Sequence, residues 1–259
     1  MGVQIRVGYN DHQLLADFLA NDATGVSAIT IDAKLADRHR PAMEAARDAG
    51  VPVLVETLTD RLAFVGYDPG PLDYVDSYPI NPASLDTLTA RAQFVESVVE
   101  PQAAIGLKTV TAPHFYADSP TDLRTNVELA RLTAHEYGAD HHVRAVCAVS
   151  RSVLADSNQG REAASLYGQA GISGIELRLS PLGGPRESLQ KIKATFDTLR
   201  AFGEFNVPVT LGYARPDRRS RLCARFGRGV LHRCRRSRAL RLQRSDCEPS
   251  APVDCNAPR

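Results

Sequence analysis

Short β-branched runs alternate with longer helical patterns throughout residues 1–214 of this chain. Seven such units follow one another, which predicts a parallel sheet, because consecutive parallel strands need helical crossovers between them. Several strand candidates are almost continuously apolar, as is typical of strands covered on both faces. The pattern therefore predicts one α/β domain over residues 1–214, a (β/α)8 TIM-type barrel, with an open doubly wound sheet as the alternative.

The expected elements follow local signals for strands, helix starts and helix ends. The predicted strands span residues 3–9, 27–32, 51–56, 103–112, 142–150, 174–180 and 207–213. The predicted helices span residues 11–19, 35–49, 84–100, 122–137, 160–170 and 185–202. We expect Ser84 to cap the third helix and Gly50 to end the second. No glycine-rich dinucleotide fingerprint lies between a strand and a helix, which favours the barrel.

Residues 215–259 differ sharply in composition from the rest of the chain. They contain 13 Arg, no Lys and 4 acidic residues, a net charge of +9, whereas residues 1–214 contain 18 basic and 26 acidic residues, a net charge of −8. Four of the five cysteines also lie in this tail. No alternating apolar pattern follows residue 214, so the predicted barrel lacks a proper eighth unit.

The Arg-rich tail has three interpretations. Out-of-frame translation of GC-rich DNA typically yields Arg, Pro, Ala, Ser and Cys, so a frameshift would explain its composition. Shifting a plausible set of codons for residues 215–238 by one base gives a helix, a turn and a strand ending in glycines, as the eighth unit requires. Alternatively, the tail is a basic arm that binds RNA or DNA phosphates, or a highly charged disordered segment.

The bulk composition restricts location and cofactors. No apolar run approaches the roughly 18 residues of a membrane span, and the N-terminus lacks the basic-then-apolar signature of a signal peptide. We therefore expect a cytoplasmic protein without membrane contact. Cys147 is the only cysteine of residues 1–214, and the tail has no CxxC pair. No disulfide framework and no metal site are assigned, and cofactor and oligomeric state stay undetermined.

Barrel enzymes place their active sites at the carboxyl ends of the strands. The sixth predicted strand alternates Ile175, Leu177 and Leu179 on one face with Glu176, Arg178 and Ser180 on the other, so the polar face should point into the barrel. The catalytic candidates at the strand ends are Asp32, Glu56, His114 and Glu176. The substrate-binding candidates are Asn10, Tyr116, Ser150, Arg178 and Tyr213.

Each candidate also has a structural interpretation. Glu176 and Arg178 form either a structural ion pair or a site in which Glu176 orients Arg178 toward an anionic group. Asp32 and Glu56 either cap helices in the following loops or serve as acid and base. The two carboxylates are also suited to metal ligation, and His114 would then complete the site.

Two segments carry a resemblance to a known family. Phe-Val-Glu-Ser-Val-Val-Glu-Pro-Gln over residues 94–102 and Val-Thr-Ala-Pro-His-Phe-Tyr-Ala-Asp-Ser-Pro over residues 110–120 resemble a group of uncharacterised bacterial barrel proteins. That group is similar to the tRNA-guanine transglycosylase barrel, and the resemblance covers roughly residues 1–214. It implies a transferase-like barrel in which Asp32 or Glu56 stands in for the catalytic aspartate. The zinc-binding cysteine cluster of true transglycosylases has no counterpart in residues 1–214.

Together these observations predict an enzyme, or an inactive remnant of one, that acts on a small polar or anionic substrate. The alternative is a nucleic-acid-binding or base-modifying protein that uses the Arg-rich tail. Phosphate binding by the tail would weaken steeply with salt, which separates the two hypotheses.

Overall fold

Seven parallel strands form two sheets in the computed structural model, which describes residues 2–75, 78–154, 157–180, 189–205 and 207–212. The three-stranded sheet has the order β1 (Val3–Arg6), β2 (Val26–Asp32), β3 (Val53–Glu56). The four-stranded sheet has the order β4 (Thr109–Thr111), β5 (His142–Ser150), β6 (Gly174–Ser180), β7 (Val209–Leu211). Every strand pair is parallel, which confirms the predicted α/β class.

A helix follows each of the first six strands. The helices are α1 (His12–Asn21), α2 (Arg40–Asp48), α3 (Leu88–Ala104), α4 (Pro120–Tyr137), α5 (Ser157–Gly168) and α6 (Leu189–Gly203). Gly50 lies just after α2 with a φ of 69°, the left-handed conformation that ends helices and that glycine adopts without steric cost. This confirms the expected end of the second helix. Among the described residues, no helix is both long and apolar enough to cross a membrane.

The apolar core has two parts, which correspond to the two sheets. The smaller part packs the first sheet against α1 and α2, with Ile29, Ile31 and Met43 at its centre. The larger part packs the second sheet against the later helices and includes Phe115 and Leu177. Full burial of each such side chain contributes about 1.5–3 kcal/mol to folding. The helices therefore cover the sheets, as the continuous apolar strands predicted.

The predicted helices 84–100 and 35–49 both begin later than expected. The expected cap Ser84 lies in a 3-10 turn, and α3 starts after Thr87, whose hydroxyl accepts a hydrogen bond from the Ala90 N–H at 3.1 Å. The predicted helix 35–49 is also divided, because residues Ala33–Leu35 form a 3-10 turn and α2 begins only at Arg40. Pro41 in the first turn of α2 favours that start, since proline suits a position where no N–H donor is needed.

The predicted strand 103–112 is wrong over its first half. Helix α3 continues through Pro101 to Ala104, and β4 comprises only Thr109–Thr111. Proline inside a helix normally weakens it. The buried face of α3, formed by Val95, Val98 and Val99, outweighs this local signal because its packing holds the last turn in place.

Gln102 at the end of α3 explains why the sheet divides between β3 and β4. Its side-chain Oε1 accepts a hydrogen bond from Thr111 N at 2.8 Å, and its Nε2 donates to Thr111 O at 3.0 Å. The neighbouring Ala112 N donates to Arg144 O on β5, so the two Thr111 groups point toward the opposite edge of β4. The amide of Gln102 therefore takes the place of a strand partner on the side facing β3.

The prediction that the barrel lacks a proper eighth unit concerns residues outside the described part of the chain. Strands β1 and β7 each pair with one neighbour within the described part of the chain, and those strands form two sheets rather than one closed barrel. Tyr213, the Arg-rich tail 215–259 and the expected domain boundary at residue 214 all lie outside it.

Candidate active site

A row of alternating charges crosses the interior from β5 to the end of β3. Arg144 forms an ion pair with Glu176, and Glu176 Oε1 accepts a hydrogen bond from Arg178 Nε at 2.6 Å. Arg178 also binds Glu56 through two parallel hydrogen bonds, Nη1 to Oε1 at 2.8 Å and Nη2 to Oε2 at 2.5 Å. All four side chains are buried or nearly so. Burial of these four charges is tolerated because each charge is paired with an opposite one.

Strand register explains how these residues meet. Glu176 and Arg178 are two positions apart on β6, so both point to the same face. Arg144 pairs with Gly174 across the β5–β6 ladder. Gly174 lies two residues before Glu176, so Arg144 points to the same face of the sheet as Glu176. Sequence reasoning missed Arg144, although a single arginine in the apolar run of β5 is itself a signal of an internal ion pair.

Glu56 remains ionised over the whole physiological range. Burial by itself raises the pKa of this carboxyl group, but the hydrogen bonds and positive charge of Arg178 outweigh it and lower the pKa to about 2. The side chain of Glu56 is 3% exposed. The Arg178–Glu56 pair is therefore a permanently charged link between the two sheets.

His114 lies three residues beyond β4 and is 1% exposed. Its Nδ1 lies 3.5 Å from the carbonyl oxygen of Ala112, a long contact that favours the tautomer with the proton on Nδ1. Burial, reinforced by the nearby charge of Arg178, lowers the pKa of His114, so the ring is neutral near pH 7. Nε2 has no hydrogen-bond partner among the described residues, which leaves a buried lone pair.

Two side chains fix the backbone around His114. The Thr59 hydroxyl accepts a hydrogen bond from His114 N at 2.8 Å and donates to His114 O at 2.7 Å. On the following residue, the Asn126 amide accepts from Phe115 N at 2.8 Å and donates to Phe115 O at 2.7 Å. The loop after β3 and helix α4 thus hold this segment from two sides. Neither Thr59 nor Asn126 was singled out by the sequence, because hydrogen bonds to distant backbone leave no local pattern.

The loop after β3 also brings Asp60 to the site. Leu58, two residues after Glu56, has a φ of 61°, a left-handed conformation that is strained for a leucine. Asp60 Oδ1 is buried without a hydrogen-bond partner in the described part of the chain. One ligand atom each from Glu56, Asp60 and His114 lie within 4.8 Å of one another. Within the described part of the chain, these three residues could hold a metal ion.

The structure brings together four of the residues predicted from the sequence, namely Glu56, His114, Glu176 and Arg178. Asp32 caps the 3-10 turn Ala33–Leu35. Its Oδ1 accepts a hydrogen bond from Lys34 N at 3.0 Å. This contact corresponds to the capping interpretation of Asp32.

Among the described residues, Asn10, Tyr116 and Ser150 make no hydrogen bond to the charged row. Asn10 Oδ1 accepts a hydrogen bond from exposed Arg38 at 3.1 Å. The hydroxyl of Ser150, at the end of β5, forms a hydrogen bond with the Ser152 hydroxyl at 2.7 Å. Tyr116 is half-buried after β4. Tyr213 lies outside the described residues, so its predicted role stays a prediction.

Comparisons with protein-family models and curated proteins give no relative from which to transfer a function. No protein-family model matches this chain, and no curated protein matches it significantly.

Proposed function

We propose that this chain is an enzyme that acts on a small polar or anionic substrate at the carboxyl ends of β3, β4 and β6. The observation that carries the proposal is the meeting of Glu56, His114, Glu176 and Arg178 in one buried cluster. They come from three different strands or the loops that follow them. Catalytic residues drawn from the ends of several strands are characteristic of barrel enzymes.

The proposed architecture is seven units of a (β/α)8-type barrel. Parallel strands in chain order, each of the first six followed by a helix, support this interpretation. The Arg178–Glu56 pair and the Thr59–His114 hydrogen bonds join the two sheets where β3 and β4 would be neighbours. An eighth unit would then lie between β7 and β1.

The reactive group in this proposal is the lone pair on His114 Nε2. Its Nδ1–H is directed to the Ala112 carbonyl, which orients the ring and leaves Nε2 as the acceptor. The permanently paired charges of Glu56, Arg178 and Glu176 provide a fixed field in which Arg178 stabilises negative charge that develops on the substrate. Because His114 is buried, a substrate reaches it only when the surrounding residues move.

Ligand screening followed by a turnover assay tests the proposal. Nucleobases, sugar phosphates and small carboxylic acids are screened for compounds that raise the melting temperature of the full chain. Stabilising compounds are then examined for conversion by mass spectrometry. We expect conversion to fall by about 10²–10⁴-fold in His114→Gln, the usual contribution of a positioned base. The matched control is His142→Gln, which changes an exposed histidine.

Two results count against the proposed function, the first against an enzyme and the second against His114 as its reactive residue. One is that none of these compound classes binds, and the other is that His114→Gln converts substrate as fast as the wild type. Either result favours a purely structural role for the ion pairs. The nucleic-acid hypothesis rests on the composition of residues 215–259 alone, since these lie outside the described residues.

A further inference from the structure

The carboxylates of Glu56 and Asp60 and the imidazole of His114 form a compact set of oxygen and nitrogen donors. Their ligand atoms lie within 4.8 Å of one another. Bonds of about 2.0–2.2 Å to one ion place two ligand atoms at most about 4.4 Å apart. Side-chain rotation that shortens these separations would let all three ligand atoms reach a single cation.

His114 supplies the observation that is independent of the two acids. A metal-binding imidazole usually donates its second ring N–H to a carbonyl or carboxylate, which fixes the ring and exposes the other nitrogen to the ion. In this protein Nδ1 faces the Ala112 carbonyl oxygen, and Nε2 is buried without a partner among the described residues. A polar atom this deeply buried normally has a partner, and a cation would supply one.

The surroundings of the two acids fit the same role. Asp60 Oδ1 is likewise buried without a hydrogen-bond partner in the described ranges. The Glu56 carboxylate is held in place by its two hydrogen bonds from Arg178. Metal-binding carboxylates are commonly oriented in this way by a second hydrogen-bonding group.

We propose that Glu56, Asp60 and His114 bind a divalent transition-metal cation of the Mn²⁺ or Zn²⁺ class. A mixed oxygen and nitrogen donor set suits this class of ion. Three protein ligands leave coordination positions open for water or a substrate oxygen, as in catalytic metal sites. The inference rests on the proposed function in that it places the ion in the same site. With an ion bound, the His114 lone pair serves as a ligand instead of as a base.

Mn²⁺ titration of the full, chelator-treated chain tests the site without any substrate. The electron paramagnetic resonance signal of free Mn²⁺ reports how much ion is bound. Mn²⁺ is the probe because it favours oxygen and nitrogen donors over the thiolates of the tail cysteines. We expect one ion per chain in the wild type, and a rise in melting temperature on binding.

Variants assign the ligands. Asp60→Asn and His114→Gln should weaken Mn²⁺ binding by more than the roughly 10–100-fold typical of changes around a metal site. Their matched controls are Asp32→Asn and His142→Gln, which should bind like the wild type. Asp60 Oδ1 has no hydrogen-bond partner among the described residues, so Asp60→Asn is expected to fold, and circular dichroism verifies this.

The inference is overturned if the wild type shows no saturable binding, or if Asp60→Asn and His114→Gln bind Mn²⁺ as the controls do. The two proposals fail separately. If Mn²⁺ does not bind but turnover depends on His114, the metal site is excluded and the proposed enzyme stands. Binding without turnover of any screened compound leaves the metal site and removes the proposed function.

Discussion

Arg178 and Glu56 lie 122 positions apart in the sequence and form a bidentate ion pair with two parallel hydrogen bonds. Arg178 is in the four-stranded sheet and Glu56 ends the last strand of the three-stranded sheet. The pair joins the two sheets where β4 has no neighbouring strand on one side. At that edge the Gln102 side chain accepts a hydrogen bond from Thr111 N in place of a strand. A charged contact therefore connects two sheets that the backbone ladder leaves separate.

Replacing Arg178 with Met should be strongly destabilising. The change leaves the buried carboxylates of Glu56 and Glu176 without their shared counter-charge, and breaking a buried pair in this way typically costs about 3–5 kcal/mol. Urea unfolding measures the loss. The double variant Arg178→Met/Glu56→Gln should recover part of it, because one uncompensated charge is removed.

The control for Arg178 is Arg124→Met. Arg124 pairs with Glu162 on the surface, where the two side chains are 66% and 59% exposed, so its loss should cost less than about 1 kcal/mol. Equal effects of the two arginine variants would show that the buried row does not stabilise the fold.

Stability should fall in two stages as the metal-free protein is acidified. Burial lowers the pKa of His114, reinforced by Arg178, and burial also lowers the pKa of His39. The unfolded chain therefore binds more protons below 6.5, the ordinary pKa, and stability declines from there. The contribution of Glu56, whose pKa is lowered from 4.5 to about 2, is complete above 4.5 and is lost as the pH falls toward 2.

Unfolding free energies measured between pH 7 and pH 5 with a chelator present check the first stage. His114→Gln should flatten the slope, whereas His142→Gln, at an exposed position, should not. An unchanged slope in His114→Gln would mean that this ring is not held neutral by the fold.

Thr59→Val should loosen the segment that carries His114. The substitution keeps the shape of the side chain but removes both hydrogen bonds to the His114 backbone. Each buried group left without a partner costs about 1–3 kcal/mol. Thermal unfolding measures the loss of stability. Thr57→Val is the control, since among the described residues the Thr57 hydroxyl hydrogen-bonds only to that of Thr59, at 3.3 Å. Comparable losses in both variants would contradict the positioning role of Thr59.

Gly212→Ala should disturb Glu176. A methyl group at Gly212 would overlap the Glu176 carboxylate, which cannot move freely because Arg144 and Arg178 hold it. Gly174→Ala is the matched control, because its methyl group would meet only Pro208 O, at an ordinary 3.7 Å. We expect a lower melting temperature for Gly212→Ala alone. Equal melting temperatures would show that the carboxylate tolerates displacement.

The reading frame of residues 215–259 is also open to a direct test. We expect that sequencing the coding DNA across codons 205–259 and translating all forward frames will reveal a helix, a strand and a glycine-rich turn in another frame. If no other frame stays open, the Arg-rich tail is genuine. Nucleic-acid binding that weakens steeply with salt and disappears on deletion of 215–259 would then be the expected behaviour.

Local periodicity determined the elements of the fold that were predicted well. Strands β5 and β6 have the bounds that the sequence predicted, because long apolar runs with clear ends are unambiguous. The period of two along β6 likewise put Glu176 and Arg178 on one face. The start of α3 and the length of β4 were predicted wrongly, since packing of α3 overrode the signals of Ser84 and Pro101.

The sequence by itself thus determined the α/β class, the order of the strands and the residue types at their ends. Only the tertiary structure decided which of these residues meet. It joined Glu56 to Arg178, added Arg144 and Asp60, and left Asp32 as a turn cap. The physical reason is that side-chain periodicity is set by the local backbone, whereas ion pairs depend on register and loop conformation between segments far apart in the chain.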